Sequence, residues 1–572
     1  MKPMGDQAEK KMTREEEMRQ QIQEGARRTR EQFNACWTPE SPCDFVREES
    51  FLPMEDGVRL HMLIYRPEGK TSFPVLVQRG CYPFQTPIYE VYGEELAKRG
   101  YGYIMQTCRG VGKSEGDWTP NVNERADGLT LLRWLNGQDW AESIGYFGAS
   151  YLALTGWAVA DAVPEKVKGM FLTVYGTDRF TSAYEKGLFR HDVLTGWSMA
   201  NAGHPVTADY LESCRFRPHD RVDEAMWGGT LPWYQDYIHS TRREDPYWQS
   251  GWWKQLEEIP AHTRVPVYIV ESWYDHHFGS AMNTYAKLSP DTKAHSWLDI
   301  GCWNHMSMEC VAWGKQKHLE NGDVSRLLEW FDLLLKKKGT PERRVRAYVM
   351  REDRWESFPE WPIPCSQRGK YYLRADGSLT EDAPNGQEQG KAVSFDYDPE
   401  DPCPTHGAES VLTTIVEAGS LLQPAPGYRP DVVSWISEPL TQSLCLEGGA
   451  KVWLKVRTDV EDTAFSAKLC EVFPDGKAYN IRSGITTIAA DLPEGARYTP
   501  GDSVQVRIDF WDIVWHIQPG SRIRLDISSA DFPQYAAHSN YPGIWSEQAQ
   551  TRIAHQSILM DPDTFLELPL RQ

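Results

Sequence analysis

The sequence lacks several features that would place it in other classes of protein. No stretch approaches the roughly 18 to 20 consecutive apolar residues of a membrane-spanning helix, and the first residues lack the apolar core of a secretion signal. The eleven cysteines include no Cys-x-x-Cys pair, which fits reduced thiols in the cytoplasm best. There is no internal repeat or long low-complexity linker. We therefore expect a cytoplasmic protein with no membrane partner.

Basic residues are also in short supply. Lys and Arg total 61 against 81 Asp and Glu, a net charge of −20, so no nucleic-acid partner is expected. The chain of 572 residues is long enough for two or three domains, and 23 tryptophans indicate packed, globular structure. The adjacent His276 and His277 lack acidic or cysteine partners at metal-ligand spacing. They are predicted to lie in a pocket wall or on the surface, and neither a metal nor a cofactor is expected.

The order of apolar and helical patterns predicts an α/β fold followed by an all-β domain. A charged pattern at 10–33 predicts an exposed helix. Strand-like runs, among them 57–65 and 172–175, then alternate with helical patterns, which is typical of a doubly wound sheet. Between about 178 and 256 this alternation gives way to aromatic, helix-like segments, such as 207–214 and 231–240, that predict a cap over a pocket. After about 345, short alternating runs between turns predict a β-sandwich or jelly roll. The predicted segments are a helical extension (1–45), an α/β domain (46–177 and 257–344), a helical cap (178–256) and a jelly roll (345–572).

The segment 144–153, IGYFGASYLA, places Ser150 between small residues, after an apolar run and before a helix-like stretch. A nucleophilic serine needs a sharp strand-to-helix turn that exposes its hydroxyl, and only small neighbours fit where the chain passes close to itself. The usual pattern is Gly-x-Ser-x-Gly; here Leu152 replaces the second glycine and Ala153 is the next small residue. A Gly-x-Ser turn is also common in ordinary loops.

A serine nucleophile needs a base and a carboxylate that orients it. Residues 267–270 predict a strand that leads to Asp275, and residues 296–300 predict another that leads to His305. Catalytic groups collect at the carboxyl ends of such strands, in the chain order Ser, Asp, His. A helix-capping aspartate and a surface histidine are the alternatives for each residue alone. Their joint order and placement favour a catalytic triad.

The oxyanion that forms during acyl transfer needs two preset hydrogen-bond donors. The backbone N–H of Tyr151 follows from the geometry of the turn. The second donor is expected in the loop 79–84, which comes after the predicted strand at 75–78. Tyr82, held just before a proline, can place its hydroxyl there. From spacing alone, a packed structural tyrosine is an equally good interpretation.

A series of short motifs runs from about residue 51 to the C-terminus, each weak alone but specific in this order. They are PMEDGVRL (53–60), YRP (65–67), RGVGKSEG (109–116), FGASYL (147–152), WYD (273–275), DTAF (462–465), VFPDG (472–476), PGSRIR (519–524) and SSADFP (528–533). In these motifs the chain resembles the cocaine-esterase/NonD family of serine hydrolases, relatives of X-Pro dipeptidyl peptidases and α-amino-acid ester hydrolases.

This resemblance implies an α/β-hydrolase fold with an inserted helical cap and a C-terminal jelly roll that helps close the pocket. By motif position, it implies Ser150 as nucleophile, His305 as base and Asp275 as the residue that orients the base. It also implies Tyr82 as the oxyanion tyrosine, beside the Tyr151 N–H. A jelly roll of this kind resembles a carbohydrate-binding fold without implying sugar binding.

The chain departs from one related group at a telling place. α-Amino-acid ester hydrolases carry two adjacent acids just after the triad aspartate, which hold the substrate ammonium. Here His277 and Phe278 stand at those positions, which argues against recognition of a charged amino group. A carboxylate in the cap could substitute for them; the candidates are Asp178, Glu185 and Asp192.

Large apolar residues of the predicted cap are candidates for an acyl or aromatic pocket. These are Phe189, Trp197 and Trp233, with His277 and Phe278 as further wall residues. Packing inside the cap is the alternative, and base rates for large apolar residues favour it.

The combined prediction is a cofactor-free serine hydrolase that cleaves small-molecule acyl esters or amides through an acyl-enzyme on Ser150. The alternatives are a peptidase or amidase of the X-Pro dipeptidyl-peptidase or peptide natural-product type, and an acyltransferase. A non-catalytic glycan-binding protein is a further alternative that the complete triad opposes. A homodimer is possible.

Overall fold

The computed structural model describes residues 14–571 except 38, 40, 306–309, 314–323, 366, 385, 387–389, 408 and 410–417. The described residues within Met1–Leu172 and Gly322–Pro341 form one compact unit, and those within Thr173–Asn321 and Glu342–Gln572 form a second. In the described part of the chain, no helix combines the length and the apolar character needed to cross a membrane.

The first unit begins with a helix and then alternates strands with helices. Its strands lie in a mixed sheet. Numbered along the chain, they are arranged in the order first, second, fourth, third, fifth and sixth. The third strand is parallel to the fourth and the fifth, whereas the second is antiparallel to the first and the fourth. In chain order the elements are α1 (Arg14–Ala35), β1 (Phe45–Pro53), β2 (Arg59–Pro67), β3 (Phe73–Gly80), α2 (Thr86–Lys98), β4 (Gly102–Thr107), α3 (Glu124–Asn136), β5 (Ala141–Ala149), α4 (Tyr151–Trp157) and β6 (Val167–Thr173).

Close packing explains the composition of the central strands of this unit. Every residue of β3 is buried, as expected for a parallel strand covered on both faces. Gly145 in β5 lies against the Phe331 ring, and a Cβ there would come within 2.3 Å of it. Helix α1 is fixed to α2 by charged contacts, such as the hydrogen bond from Arg30 to Glu94 at 2.7 Å. The helix predicted for residues 10–33 is therefore present as α1.

The second unit starts with short helices and continues with two parallel strands, β9 and β10. Helices occur where the sequence predicted them, at 207–214 and 231–240. In chain order the elements are α5 (Arg179–Ala183), β7 (Tyr184–Glu185), β8 (Leu188–Phe189), α6 (His191–Ala200), α7 (Tyr210–Arg215), α8 (Pro232–His239), α9 (Pro246–Gln249), α10 (Gly251–His262), β9 (Val267–Tyr274), α11 (Phe278–Lys287), α12 (Pro290–Ala294) and β10 (Trp297–Asn304).

Helix α13 (Val324–Phe331) returns to the first unit, and the remainder of the second unit is almost entirely β. In this remainder β11 pairs parallel to β10 and antiparallel to β12, and the later strands form a sheet of their own. The elements are β11 (Arg344–Val349), β12 (Arg354–Phe358), β13 (Gln367–Leu373), β14 (Ser378–Thr380), β15 (Ala392–Tyr397), β16 (Val433–Ser437), β17 (Leu444–Gly448), β18 (Lys451–Arg457), β19 (Ala464–Val472), β20 (Ala478–Thr487), α14 (Ile488–Asp491), β21 (Val504–Asp509), β22 (Ile513–Ile517), β23 (Arg522–Ser528), β24 (Ala554–Leu559) and β25 (Phe565–Leu570).

The predicted fold class, an α/β-hydrolase fold with a C-terminal all-β domain, is confirmed, with small differences in strand limits. The strand predicted at 57–65 begins only at Arg59, because Gly57 has a positive φ of 86° and closes a turn onto the Met54 carbonyl at 2.9 Å. The strand predicted at 172–175 ends at Thr173, because Val174 adopts a φ of 49°. Such left-handed values interrupt extended backbone.

Candidate active site

Ser150 occupies a strained position between β5 and α4. Its φ is 56° and its ψ is −125°, a conformation that few non-glycine residues adopt. Its carbonyl accepts the first helical hydrogen bonds, from the N–H groups of Ala153 (2.9 Å) and Leu154 (3.0 Å). This is the sharp strand-to-helix turn that a serine nucleophile requires.

The neighbours of Ser150 show why small residues are needed and why one departure is tolerated. A Cβ on Gly148 would lie 2.4 Å from the backbone carbonyl of Leu152, so only glycine fits there. The Leu152 side chain in turn fills space beside Gly80, where a Cβ would come within 2.8 Å of it. Leucine can therefore replace the second glycine of the motif because Gly80 makes room for it.

A buried network holds the residue after the serine. The Tyr151 hydroxyl donates to Glu124 (2.8 Å) and accepts from the N–H of Asn121 (2.8 Å). Arg79, fully buried, pairs with the Glu124 carboxylate at 3.2 Å and donates to the Gln106 side chain at 2.7 Å. The sequence analysis missed Glu124 and Arg79, because they lie 27 and 72 positions before Tyr151 and belong to no local motif.

Tyr82 follows β3 and stands immediately before Pro83. Its half-buried ring makes an edge contact with the Tyr151 ring at 6.3 Å between centroids and a tilted contact with Phe84 at 5.6 Å. Tyr82 also lines a cavity of about 240 Å³ in the first unit. The two predicted oxyanion residues thus lie side by side in the same unit as Ser150.

Asp275 and His305 meet in the second unit, at the ends of β9 and β10. The Nδ1–H of His305 donates to Oδ2 of Asp275 at 2.7 Å, and Oδ1 accepts the backbone N–H of His277 at 2.6 Å. Asp275 is completely buried, whereas about a tenth of the His305 side chain is exposed. Both carboxylate oxygens therefore have donors, and Asp275 holds the imidazole of His305 through Nδ1. This is the arrangement of an oriented general base.

The two histidines after Asp275 are buried, so the surface location that the sequence allowed for them is wrong. Their rings form a chain of contacts with His305: His277 to His276 at 4.1 Å and His276 to His305 at 4.3 Å between centroids. Burial and the nearby histidine rings lower the pKa of both His276 and His277 well below the usual range. His277 also hydrogen-bonds to the Ser182 hydroxyl at 2.8 Å through Nδ1.

A second carboxyl group lies close to Asp275. Glu271 on β9 is completely buried, and burial and the Asp275 charge raise its pKa well above the ordinary value. This shift favours the protonated, uncharged form of Glu271.

The all-β part of the second unit holds the segment that leads to Asp275. Arg482 on β20 donates to the carbonyl of Trp273, to the Glu409 carboxylate at 2.6 Å and to the Asp512 carbonyl at 2.6 Å. Its guanidinium also lies over the Phe278 ring, 5.0 Å from the centroid. The sequence analysis did not single out Arg482, which lies 209 positions after Trp273.

The candidate pocket residues divide into packed and partly exposed groups. Phe189 is buried and stacks on Trp545 at 4.9 Å, and Phe278 is buried against Trp273 at 5.5 Å. Trp197 and Trp233 are half-buried and contact each other at 5.8 Å. Their role as substrate-pocket residues, with that of His277, stays a prediction.

Comparison with known families decides the classification. Residues 56–307 match the model of the X-Pro dipeptidyl-peptidase (S15) family, and residues 337–564 match that of the X-Pro dipeptidyl-peptidase C-terminal non-catalytic domain. The chain contains both domains. It is a serine hydrolase that acts on esters or peptides, as its sequence motifs predicted.

Individual relatives agree with this family assignment. The chain is 27% identical over 550 residues to the cocaine esterase of Rhodococcus sp. (strain MB1 Bresler), covering 87% of this chain and 93% of the relative. Two solved structures, each covering 94% of this chain and 98% of their own, show the same fold with a TM-score of 0.78. They are an α-amino acid ester hydrolase (21% identical) and an aminopeptidase from a marine sediment archaeon, Thaumarchaeota archaeon (19% identical).

Proposed function

We propose that this chain hydrolyses small-molecule acyl esters through an acyl-enzyme on Ser150, with His305 as general base and Asp275 orienting it. The observation that carries the proposal is the Ser150 backbone, strained at φ 56° between β5 and α4. Strain of this kind persists where the surrounding structure enforces it and clusters at active sites. The hydrogen bond from His305 to Asp275 at 2.7 Å supports the assignment of the base.

The proposed reaction uses the two imidazole nitrogens differently. Nδ1–H stays on Asp275, which leaves Nε2 of His305 to take the proton from Ser150 as its Oγ attacks the acyl carbonyl. The N–H of Tyr151 and the hydroxyl of Tyr82 stabilise the oxyanion. The leaving alcohol takes the proton from His305, and a water molecule activated by the same imidazole then releases the acid.

The cap residues favour substrates without a free ammonium group. Asp178 forms a two-pronged ion pair with Arg243, with both N–O distances at 3.0 Å. Asp192 is completely buried beside Arg190 at 3.2 Å, and burial raises its pKa to about 6. Each of these acids already has a cationic neighbour, so neither is suited to bind a substrate ammonium. A neutral acyl ester fits such surroundings better than an amino ester.

Replacement of the nucleophile tests the proposed function. Ser150→Ala is expected to abolish hydrolysis of p-nitrophenyl esters and labelling by a fluorophosphonate. Ser394→Ala removes an exposed hydroxyl on β15 and serves as the matched control that keeps both activities. Labelling that survives Ser150→Ala would reject Ser150 as the nucleophile.

A substrate panel tests the preference for neutral acyl groups. We expect higher kcat/KM for neutral p-nitrophenyl esters than for amino-acid esters and aminoacyl-prolyl anilides. Glu185, the third acid considered in the cap, is the residue to vary if amino substrates are cleaved. A loss of that activity in Glu185→Gln, with neutral esters unaffected, would contradict our preference and favour a peptidase or amino-ester hydrolase. Product analysis with an added amine tests acyl transfer.

Three predictions from the sequence remain proposals. They are the domain limits at 45/46, 177/178, 256/257 and 344/345, a cytoplasmic location and a homodimer. Light scattering after size-exclusion chromatography measures the oligomeric state directly, and limited proteolysis tests the domain limits.

A further inference from the structure

His276 brings a third metal-binding side chain to the Asp275–His305 pair. Its Nδ1 lies 3.8 Å from Oδ1 of Asp275, while Nδ1 of His305 lies 2.7 Å from Oδ2 of the same carboxylate. One ligand atom can be chosen from each of the three residues so that all three atoms lie within 4.8 Å of one another. No metal ion was expected from the sequence, because His305 follows a different strand and joins this loop only through folding.

The Nδ1 atom of His276 has no other role among the described residues. The side chain is 97% buried, and Nδ1 has no hydrogen-bond partner in the described part of the chain. A buried polar atom without a partner costs free energy, and a bound cation removes that cost. His277 differs in this respect, because its Nδ1 is already bonded to the Ser182 hydroxyl at 2.8 Å.

Two imidazole nitrogens and one carboxylate oxygen form a donor set that Zn²⁺ accepts, with water as the fourth ligand. Bond lengths near 2.0 to 2.2 Å place tetrahedral ligand atoms about 3.3 Å apart. The His305 and His276 nitrogens lie 2.7 and 3.8 Å from different oxygens of Asp275, Oδ2 and Oδ1, so side-chain rotation must bring one oxygen and both nitrogens to this spacing.

We propose that Asp275, His276 and His305 form a binding site for Zn²⁺ and similar divalent transition-metal ions, and that an ion bound there inhibits the hydrolase. The inhibition rests on the proposed role of His305. When the ion binds Nδ1 of His305, the proton that Nδ1 carried moves to Nε2. An imidazole protonated at Nε2 cannot accept the Ser150 proton, and Asp275 now binds the ion instead of orienting the base.

Inhibition is measured from the rate of p-nitrophenyl ester hydrolysis at a series of buffered Zn²⁺ concentrations. The protein carries no affinity tag, and EDTA is added afterwards to show that the inhibition is reversible. Each variant is normalised to its own metal-free rate. We expect the half-inhibiting concentration to rise more than about 10-fold in His276→Gln, since even outer-shell changes cost 10- to 100-fold in metal affinity. In the matched control His277→Gln it stays within about 3-fold. Equal inhibition of all three proteins would overturn the proposal.

Binding is measured separately from activity in the Ser150→Ala background, by competition with a chromophoric chelator. We expect one equivalent of Zn²⁺ that disappears when His276→Gln is added. Zinc binding that is unaffected by His276→Gln overturns the site. Binding that depends on His276 without any loss of rate overturns the inhibition and argues against His305 as base. If Ser150 is not the nucleophile, fluorophosphonate still labels Ser150→Ala, and this result is independent of zinc binding.

A spectroscopic measurement covers the case in which His276→Gln fails to fold. One equivalent of Cu²⁺ is added to the Ser150→Ala protein, and the electron paramagnetic resonance spectrum is recorded. Coupling to two imidazole nitrogens is the expected result. A spectrum without nitrogen coupling would refute the site.

Discussion

Arg482 is the residue through which the all-β part of the chain is expected to stabilise the loop that carries Asp275. Its side chain is 1% exposed and pairs with Glu409, which is 3% exposed, at 2.6 Å. It also donates to the backbone carbonyls of Trp273 and Asp512. Replacement by methionine keeps much of the volume but leaves the Glu409 charge buried, with Gln534 at 3.2 Å as its remaining side-chain donor.

The expected size of this effect follows from the burial of the pair. Removal of one partner of a buried ion pair costs about 3 to 5 kcal/mol, because the other charge is left uncompensated. The carbonyl of Trp273 loses its donor as well, two residues before Asp275, so the loop is expected to shift. A displacement of about 1 Å near a reacting centre can lower kcat by about 10²-fold. We therefore expect Arg482→Met to lower both stability and kcat.

Urea unfolding followed by tryptophan fluorescence measures the stability, and ester hydrolysis measures kcat. The matched control is Arg221→Ala, which breaks an ion pair with Glu224 whose side chains are 66% and 65% exposed. That change is expected to cost at most about 1 kcal/mol. The double variant Arg482→Met/Glu409→Gln should recover part of the loss, because no charge remains unpaired. If Arg482→Met unfolds at the same urea concentration as the control, the reasoning is wrong.

Three further changes test other parts of the structure. Gly148→Ala places a Cβ 2.4 Å from the Leu152 carbonyl. We therefore expect this variant to be destabilised by about 1 to 3 kcal/mol and to lose fluorophosphonate labelling. The control Gly137→Ala, whose Cβ would lie 3.5 Å from its nearest atom, should keep the labelling. Tyr82→Phe should lower kcat about 10²- to 10³-fold with unchanged thermal unfolding; a change in KM alone would argue against an oxyanion role. Burial raises the pKa of Asp192 from 3.8 in the unfolded chain to about 6 in the folded protein, so the contribution of Asp192 to stability falls as pH rises. The free energy of unfolding of Asp192→Asn relative to the parent protein should therefore increase by about 2 kcal/mol between pH 4.5 and 7. If urea unfolding shows the same difference between the two proteins at both pH values, Asp192 is not held protonated by burial.

The parts of the molecule that the sequence predicted are those set by local patterns. The buried strand β3 reads as an apolar run, and the alternation of strands and helices predicted an α/β fold. The turn at Ser150 could be predicted because its neighbours must be small. Asp275 and His305 could be predicted because each directly follows or ends an apolar strand, β9 and β10.

The parts that the sequence did not predict depend on contacts between distant segments. Glu124 reaches Tyr151 across 27 positions, and Arg482 reaches Trp273 across 209. Neither residue is part of a periodic hydrophobic pattern. A charged residue is expected at the surface unless a buried partner for it is known. The burial of His276 and His277 was missed for the same reason, because the rings that contact them include those of Tyr175 and of His305, which follows another strand.

These distant contacts also explain why the all-β segment should be treated as part of the hydrolase. Residues 337–564 match a domain described as non-catalytic. Arg482 within it nevertheless forms hydrogen bonds on both sides, to Trp273 before Asp275 and to Glu409 and Asp512 within the β region. A surface attachment would cost little to remove, because exposed ion pairs contribute little. Here the donor is a buried guanidinium, so separation of the β region would leave the Trp273 carbonyl without the hydrogen bond that Arg482 supplies. A chain truncated before β13 is therefore expected to lose the ordered Asp275 loop, even though it retains every proposed catalytic residue.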